Sequence, residues 1–90
     1  MADIKTVITV LGKDRPGIIA AVSKTCADNG ATIMDIRQSV MEDIFSMTMK
    51  VTLLQDNFNV VQEALAKDAE TLGVQIQIQR QEVFDFMYNL

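Results

Sequence analysis

The residues best suited to chemistry lie close together in "GKDRPGIIAAVS", positions 12–23. Gly12 lets a backbone turn tightly or a ligand approach it closely, and Pro16-Gly17 shapes a helix start with little side chain in the way. A helix start presents free amide donors and partial positive charge, which favour a carboxylate. Asp14 beside it supplies the opposite charge, for an ammonium group. The two features together suit the zwitterionic head of an amino acid. Turn chemistry accounts for the same residues without a ligand: proline and glycine form a tight turn, Asp14 caps the helix and Arg15 stays in water.

Other chemistry has less support. Histidine, the commonest general acid or base near neutral pH, is absent from the 90 residues. No nucleophile elbow or Walker phosphate loop occurs. Asp14, Asp35 and Asp43 remain as acids, but no spacing makes them converge, so no catalytic residue and no enzymatic activity are expected. Cys26 is the only cysteine. It has neither a second soft ligand for a metal nor an activating base nearby, so it is expected to pack as a small core residue, and no metal or cofactor is expected.

Composition narrows the partners. A formal charge of −4 and a pI near 4.5 remove the broad attraction on which binding to nucleic acid or an anionic membrane normally relies. An apolar fraction of 49% with 22% charged residues suits a soluble globular chain, and the apolar runs are too short to span a bilayer. "MADIKTVITV" alternates apolar with polar, unlike a secretory signal, and a lone cysteine fits a reducing compartment. A cytoplasmic location is therefore expected.

The elements that must hold the loop follow from periodicity. Ile4 to Leu11 is dense in β-branched residues with both phases partly apolar, which predicts an interior strand ending at Gly12. Ile18, Val22 and Cys26, with Ile19 beside them, predict a helix over about Pro16 to Asp28, stopped by Asn29-Gly30. "ATIMDIRQSVM" places Met34, Ile36 and Val40 on one phase and predicts a half-buried strand. After a turn at Glu42-Asp43, Phe45, Met47, Met49, Val51 and Leu53 alternate with Ser46, Thr48, Lys50 and Thr52, so the two runs form an antiparallel hairpin. Phe58, Val61, Leu65 and Leu72 predict a second helix over 57–72, capped by Asp56-Asn57 and ended by Gly73. "VQIQIQ" is a last strand with Val74, Ile76 and Ile78 inward and Gln75, Gln77 and Gln79 outward. The tail "EVFDFMYNL" places Val83, Phe84, Met87, Tyr88 and Leu90 at helix-like intervals, to pack on its own sheet or on a partner.

The order βαββαβ predicts an α+β, ferredoxin-like domain, with two helices on one face of a four-stranded antiparallel sheet and a short C-terminal helix. One domain is expected over 1–90, with a core at 4–80 and a tail at 81–90. The opposite sheet face is the nucleic-acid platform of RNA-recognition modules, which stack bases on aromatics. Here Ser46, Thr48, Lys50 and Thr52 face out of the central strands, none aromatic, so no nucleic-acid partner is expected.

"DRPGIIAAVS" followed by "NGATIMDI" closely resembles the start of ACT domains, the regulatory ligand-binding modules beside many enzymes of amino-acid metabolism. The loop is most like that of formyltetrahydrofolate deformylases and nitrogen-signalling uridylyltransferases, and the pattern covers about Ile4 to Arg80. The ending "FDFMYNL" resembles that of small stand-alone ACT proteins of unknown function. The resemblance implies an amino-acid ligand between two domains, held by the loop of one and the start of the second strand of the other. Carried over by motif, those positions are Gly12, Lys13, Asp14, Arg15, Pro16 and Gly17, with Thr32 and Ile33. It also implies a homodimer with a continuous eight-stranded sheet, regulating a separate protein partner. The alternative is an assembly or adaptor domain with no small-molecule ligand.

Overall fold

The structure is a computed structural model and describes residues 3–88. Eight elements follow in order: β1 (Asp3–Lys13), α1 (Ile18–Asp28), β2 (Thr32–Met41), β3 (Ile44–Leu54), a 3-10 turn (Gln55–Asn57), α2 (Phe58–Leu72), β4 (Val74–Arg80) and α3 (Gln81–Tyr88). The strands form one antiparallel sheet in the order β2-β3-β1-β4. The expected ferredoxin-like architecture is thus present, with α3 as the short C-terminal helix.

Alternation decides which face each strand residue covers. Phe45, Met47, Met49, Val51 and Leu53 of β3 are buried, joined by Ile8 and Val10 of β1 and Val74 of β4. Ile18, Val22 and Cys26 of α1 and Val61 and Leu65 of α2 close over them, with Ile19, Phe58, Leu72, Ile76 and Ile78 packed at the margin. The two helices are tied by the Thr25 hydroxyl, which donates to the Asp68 carboxylate. The Asn57 side-chain amide donates to the Asn29 carbonyl at 3.4 Å, joining the start of α2 to the end of α1. The expected Asp56-Asn57 cap is therefore replaced: no side chain caps α2, and Asn57 is turned toward its neighbour.

The second face of the sheet is partly covered. Val7 lies opposite Lys50 and Gln79, on the side away from α1 and α2, yet is only 2% exposed. The helix α3 packs on β1 and β4 and supplies the cover, so the tail folds onto its own sheet. Gln79 Nε2 meets Met87 Sδ at 3.6 Å, and the Phe84 and Tyr88 rings stack at 4.7 Å between centroids. Leu90, expected on the same stripe, lies outside the described residues.

The burial expected of β2 is not found. Met34, Ile36 and Val40 do not half-bury β2: Met34 is 64% exposed and Val40 52%. β2 is an edge strand, and its register with β3 shifts between Ile33 and Asp35, which leaves Met34 in a bulge. Beyond the bulge, Ile36, Gln38 and Val40 pair with the buried Met49, Met47 and Phe45 and share their face. The helices stand over the centre of the sheet and leave this edge uncovered.

Candidate functional site

The loop from β1 to α1 is held by backbone and side-chain bonds to distant segments. The Asp14 amide donates to the Asp43 carbonyl in the β2–β3 turn at 2.8 Å. The turn itself places Glu42 at φ 58, an uncommon conformation for a residue with a Cβ. Arg15 Nη1 donates to the Leu72 carbonyl at 2.9 Å, so the guanidinium sits at the negative end of α2. Arg15 remains exposed, as expected, but is tethered by this bond.

Two glycines have separate tasks. Gly17 adopts φ 91 immediately before α1, a conformation closed to ordinary side chains, so Pro16-Gly17 forms the turn and the helix begins at Ile18, two residues later than expected. Gly12 is inside β1, paired with Phe45 and Val74. A Cβ on Gly12 would stand 2.7 Å from Val74 Cγ1, so the close approach it permits is that of β4.

No side chain caps α1, which corrects the expectation that Asp14 does so. The Ala21 amide is bonded to the Gly17 carbonyl at 2.9 Å, and the amides preceding it are the ones that helix geometry leaves without an intrahelical acceptor. The same turn of helix borders a cleft of about 230 Å³ whose walls include Asp14, Arg15, Gly17, Gln38, Val40 and Phe45. The first turn of α1, Ile18 to Ala20, forms its floor. An acid, a guanidinium, a side-chain amide and a helix start therefore surround one small space, the donor and acceptor set that a zwitterion needs.

The sequence-derived positions divide into three groups. Asp14, Arg15 and Gly17 line the cleft; Gly12, Lys13 and Pro16 shape the backbone leading to it. Thr32 and Ile33 stand at the opposite end of the same chain's β2. Thr32 pairs with Thr52 while Gly12 pairs with Phe45, seven residues along β3 (52 − 45). That is about 23 Å along a strand. Gln38, Val40 and Phe45 were not anticipated. A signal existed for Gln38, the one polar residue among apolar neighbours on the Ile36 and Val40 phase.

Among the described residues no cluster of three or more potential metal-ligating side chains occurs, and no helix is long and apolar enough to cross a membrane. Cys26 is fully buried, and its thiol is pushed up from an ordinary 9.0 to about 11 by burial, with the nearby Asp68 charge adding to it.

A four-stranded antiparallel sheet with α1 and α2 on one face, and a cleft at the first strand-to-helix loop, defines a ferredoxin-like α+β domain. The particular family follows from comparison: the chain belongs to the ACT domain family, whose model matches residues 5–79. A UPF0237 protein of Methanococcus maripaludis is 43% identical over 86 residues, covering 93% of this chain and 96% of its own. An ACT domain protein from Streptococcus pneumoniae has a TM-score of 0.79 at 36% identity, covering 91% of this chain and 94% of that one. The regulatory subunit of aspartate kinase from Thermus thermophilus, in ligand-free form, has a TM-score of 0.69 at 26% identity. The similarity covers 87% of this chain and 53% of that one.

Proposed function

We propose that this ACT domain is a regulatory module of the cytoplasm that binds an amino acid at a homodimer interface and acts on a partner protein, without catalysis of its own. The observation that carries the reading is a row of exposed apolar side chains on the free strand β2, Met34 in the bulge and Ile36 and Val40 on the helix side, which ends at Val40 in the cleft. A second copy paired antiparallel along β2 covers that row and extends the sheet to eight strands. Pairing centred on Ile36 sets Asp35 across from Arg37, opposite charges, and, with the bulge at Met34 counted, brings Ile33 of the second copy across from Gln38 and Thr32 across from Ser39, beside the cleft. Thr32 and Ile33 thereby join the loop residues across the interface although they are remote within one chain. A single-chain cleft of 230 Å³ is below the usual range of small-molecule sites, about 300–1,000 Å³, and the second strand supplies the missing wall. The free amides of α1 take the carboxylate and Asp14 the ammonium group.

A ligand is useful to such a module only through its different affinities for two arrangements of the dimer, and that difference is what passes to the partner. The adaptor reading has its own support: the Arg15 guanidinium and the Asp14 amide are already engaged within the fold. Sedimentation of the wild type and of Ile36→Asp, with a calorimetric screen of the twenty amino acids, separates the two. The regulatory reading expects a dimer that Ile36→Asp dissociates and heat from one or a few amino acids. A dimer that binds none of the twenty leaves the adaptor reading; a wild-type monomer at micromolar concentration removes the interface.

A further inference from the structure

The second edge of the sheet is built differently. Four consecutive residues of β4, Ile76 to Gln79, border one groove of about 480 Å³. Successive strand residues point to opposite faces, so a cavity touching four in a row runs along the strand's edge. β1 occupies one edge of β4, and β4 ends the sheet order, so the groove follows the unpaired edge. Leu65 and Ala66 of α2 wall it on one side; Met87 and Tyr88 of α3 wall it on the other.

Edge strands are commonly guarded by a bulge, a proline or a charge. β4 has a continuous register with β1 and neither proline nor charge from Val74 to Gln79. The groove is equally neutral: none of its lining residues is charged, in a chain with 20 Asp, Glu, Lys and Arg (8 + 12). Its two sides differ in degree: Leu65, Ala66, Ile76 and Ile78 stand beside a single amide, Gln62, on the α2 side, and Gln77 and Gln79 stand with Met87 and Tyr88 on the α3 side.

We propose that the β4 edge is a docking site for an extended, uncharged segment of another polypeptide, added as a fifth strand between α2 and α3. Backbone amides and carbonyls of the segment pair with the free ones of β4. Its residues alternate, apolar toward Leu65 and Ile78 and amide- or hydroxyl-bearing toward Gln77 and Tyr88. A second copy does not fit this edge. It would bring its own α2 and α3 walls against these, holding the two strands apart. With β2 already paired, the one point that rests on the proposed dimer, isologous contacts at both edges would also run on as an open ribbon.

The test uses the full chain and a labelled hexapeptide, acetyl-Thr-Val-Gln-Val-Thr-Val-amide, read by amide chemical-shift mapping and by fluorescence anisotropy. Saturable binding by about 1 mM is expected, with shifts confined to residues 74–80 and the facing turns of α2 and α3. Methylating the peptide's alternate backbone nitrogens on the edge facing β4 should abolish binding. Ala66→Arg, an exposed position on the α2 wall, should weaken binding at least about tenfold without changing the unfolding midpoint. Ile36→Asp should bind the peptide as the wild type does, which separates this site from the β2 interface. Absence of saturation, equal binding by the methylated peptide, or shifts elsewhere would overturn the proposal. So would shifts at residues 74–80 on raising the protein concentration alone, since a second copy would then occupy the edge.

Discussion

Arg15 reaches from the β1–α1 loop to the last turn of α2, where its Nη1 donates to the Leu72 carbonyl at 2.9 Å, between residues 57 apart in sequence. One side chain thus couples the wall of the cleft to the end of the second helix. Arg15→Ala should lower stability by about 0.3–1 kcal/mol, the range for an exposed cation at a helix C-terminus. Amide exchange checks the location: protection should fall in the last turn of α2, where Gly73 bonds to Ala69, and in the loop together. Loss in the loop alone would show that the bond does not hold α2.

Gly12 lies in close contact with Val74. With 2.7 Å between an added Cβ and Val74 Cγ1, Gly12→Ala should cost about 2 kcal/mol, as overpacking does. In a Val74→Ala background the cost should fall by about 1 kcal/mol, measured as coupling in a double-mutant cycle. Strict additivity in urea unfolding would place the strain elsewhere.

Thr6 is the buried polar residue among the described residues whose hydroxyl finds no hydrogen-bond partner. Thr6→Val keeps the shape and removes the orphaned group, so stability should rise by about 1 kcal/mol. A lower urea midpoint for the variant would reveal a partner for the hydroxyl.

Cys26 sets an alkaline limit. Burial pushes its thiol up from 9.0 to about 11, so the folded state resists losing a proton that the unfolded chain gives up. Its contribution is complete below pH 9 and is lost as pH climbs toward 11. Urea titrations from pH 8 to 10.5 should show a decline for the wild type that Cys26→Ala lacks. Parallel curves would contradict the burial argument. Reaction with a thiol reagent at pH 8 should likewise require unfolding.

The fold was largely legible because period alone separates its elements. The run from Phe45 to Leu53 alternates without error, and Ile18, Val22 and Cys26 repeat at helical spacing; both patterns landed on the buried face. Gly73 and Asn29-Gly30 ended the helices where expected. β2 was misjudged for a reason that period does not encode: alternation says which residues share a face, not whether anything covers it. The bulge at Met34 was also invisible, because a bulge is a relation between two strands.

For the site, residue types by themselves determined the tight turn before α1 and suggested donors and acceptors for a zwitterion, since conformational limits on proline and glycine are local. Which groups remain free to act was decided in three dimensions. Arg15 is bonded to α2, the Asp14 amide to Asp43, and Gly12 is pressed against Val74, all through contacts between segments far apart in the chain. Strand order had the same authority over Gln38 and Val40, which reach the cleft because β2 pairs beside β3, and over Thr32 and Ile33, which antiparallel pairing carries to the far end. Local sterics are written residue by residue; proximity across a sheet is a property of the whole.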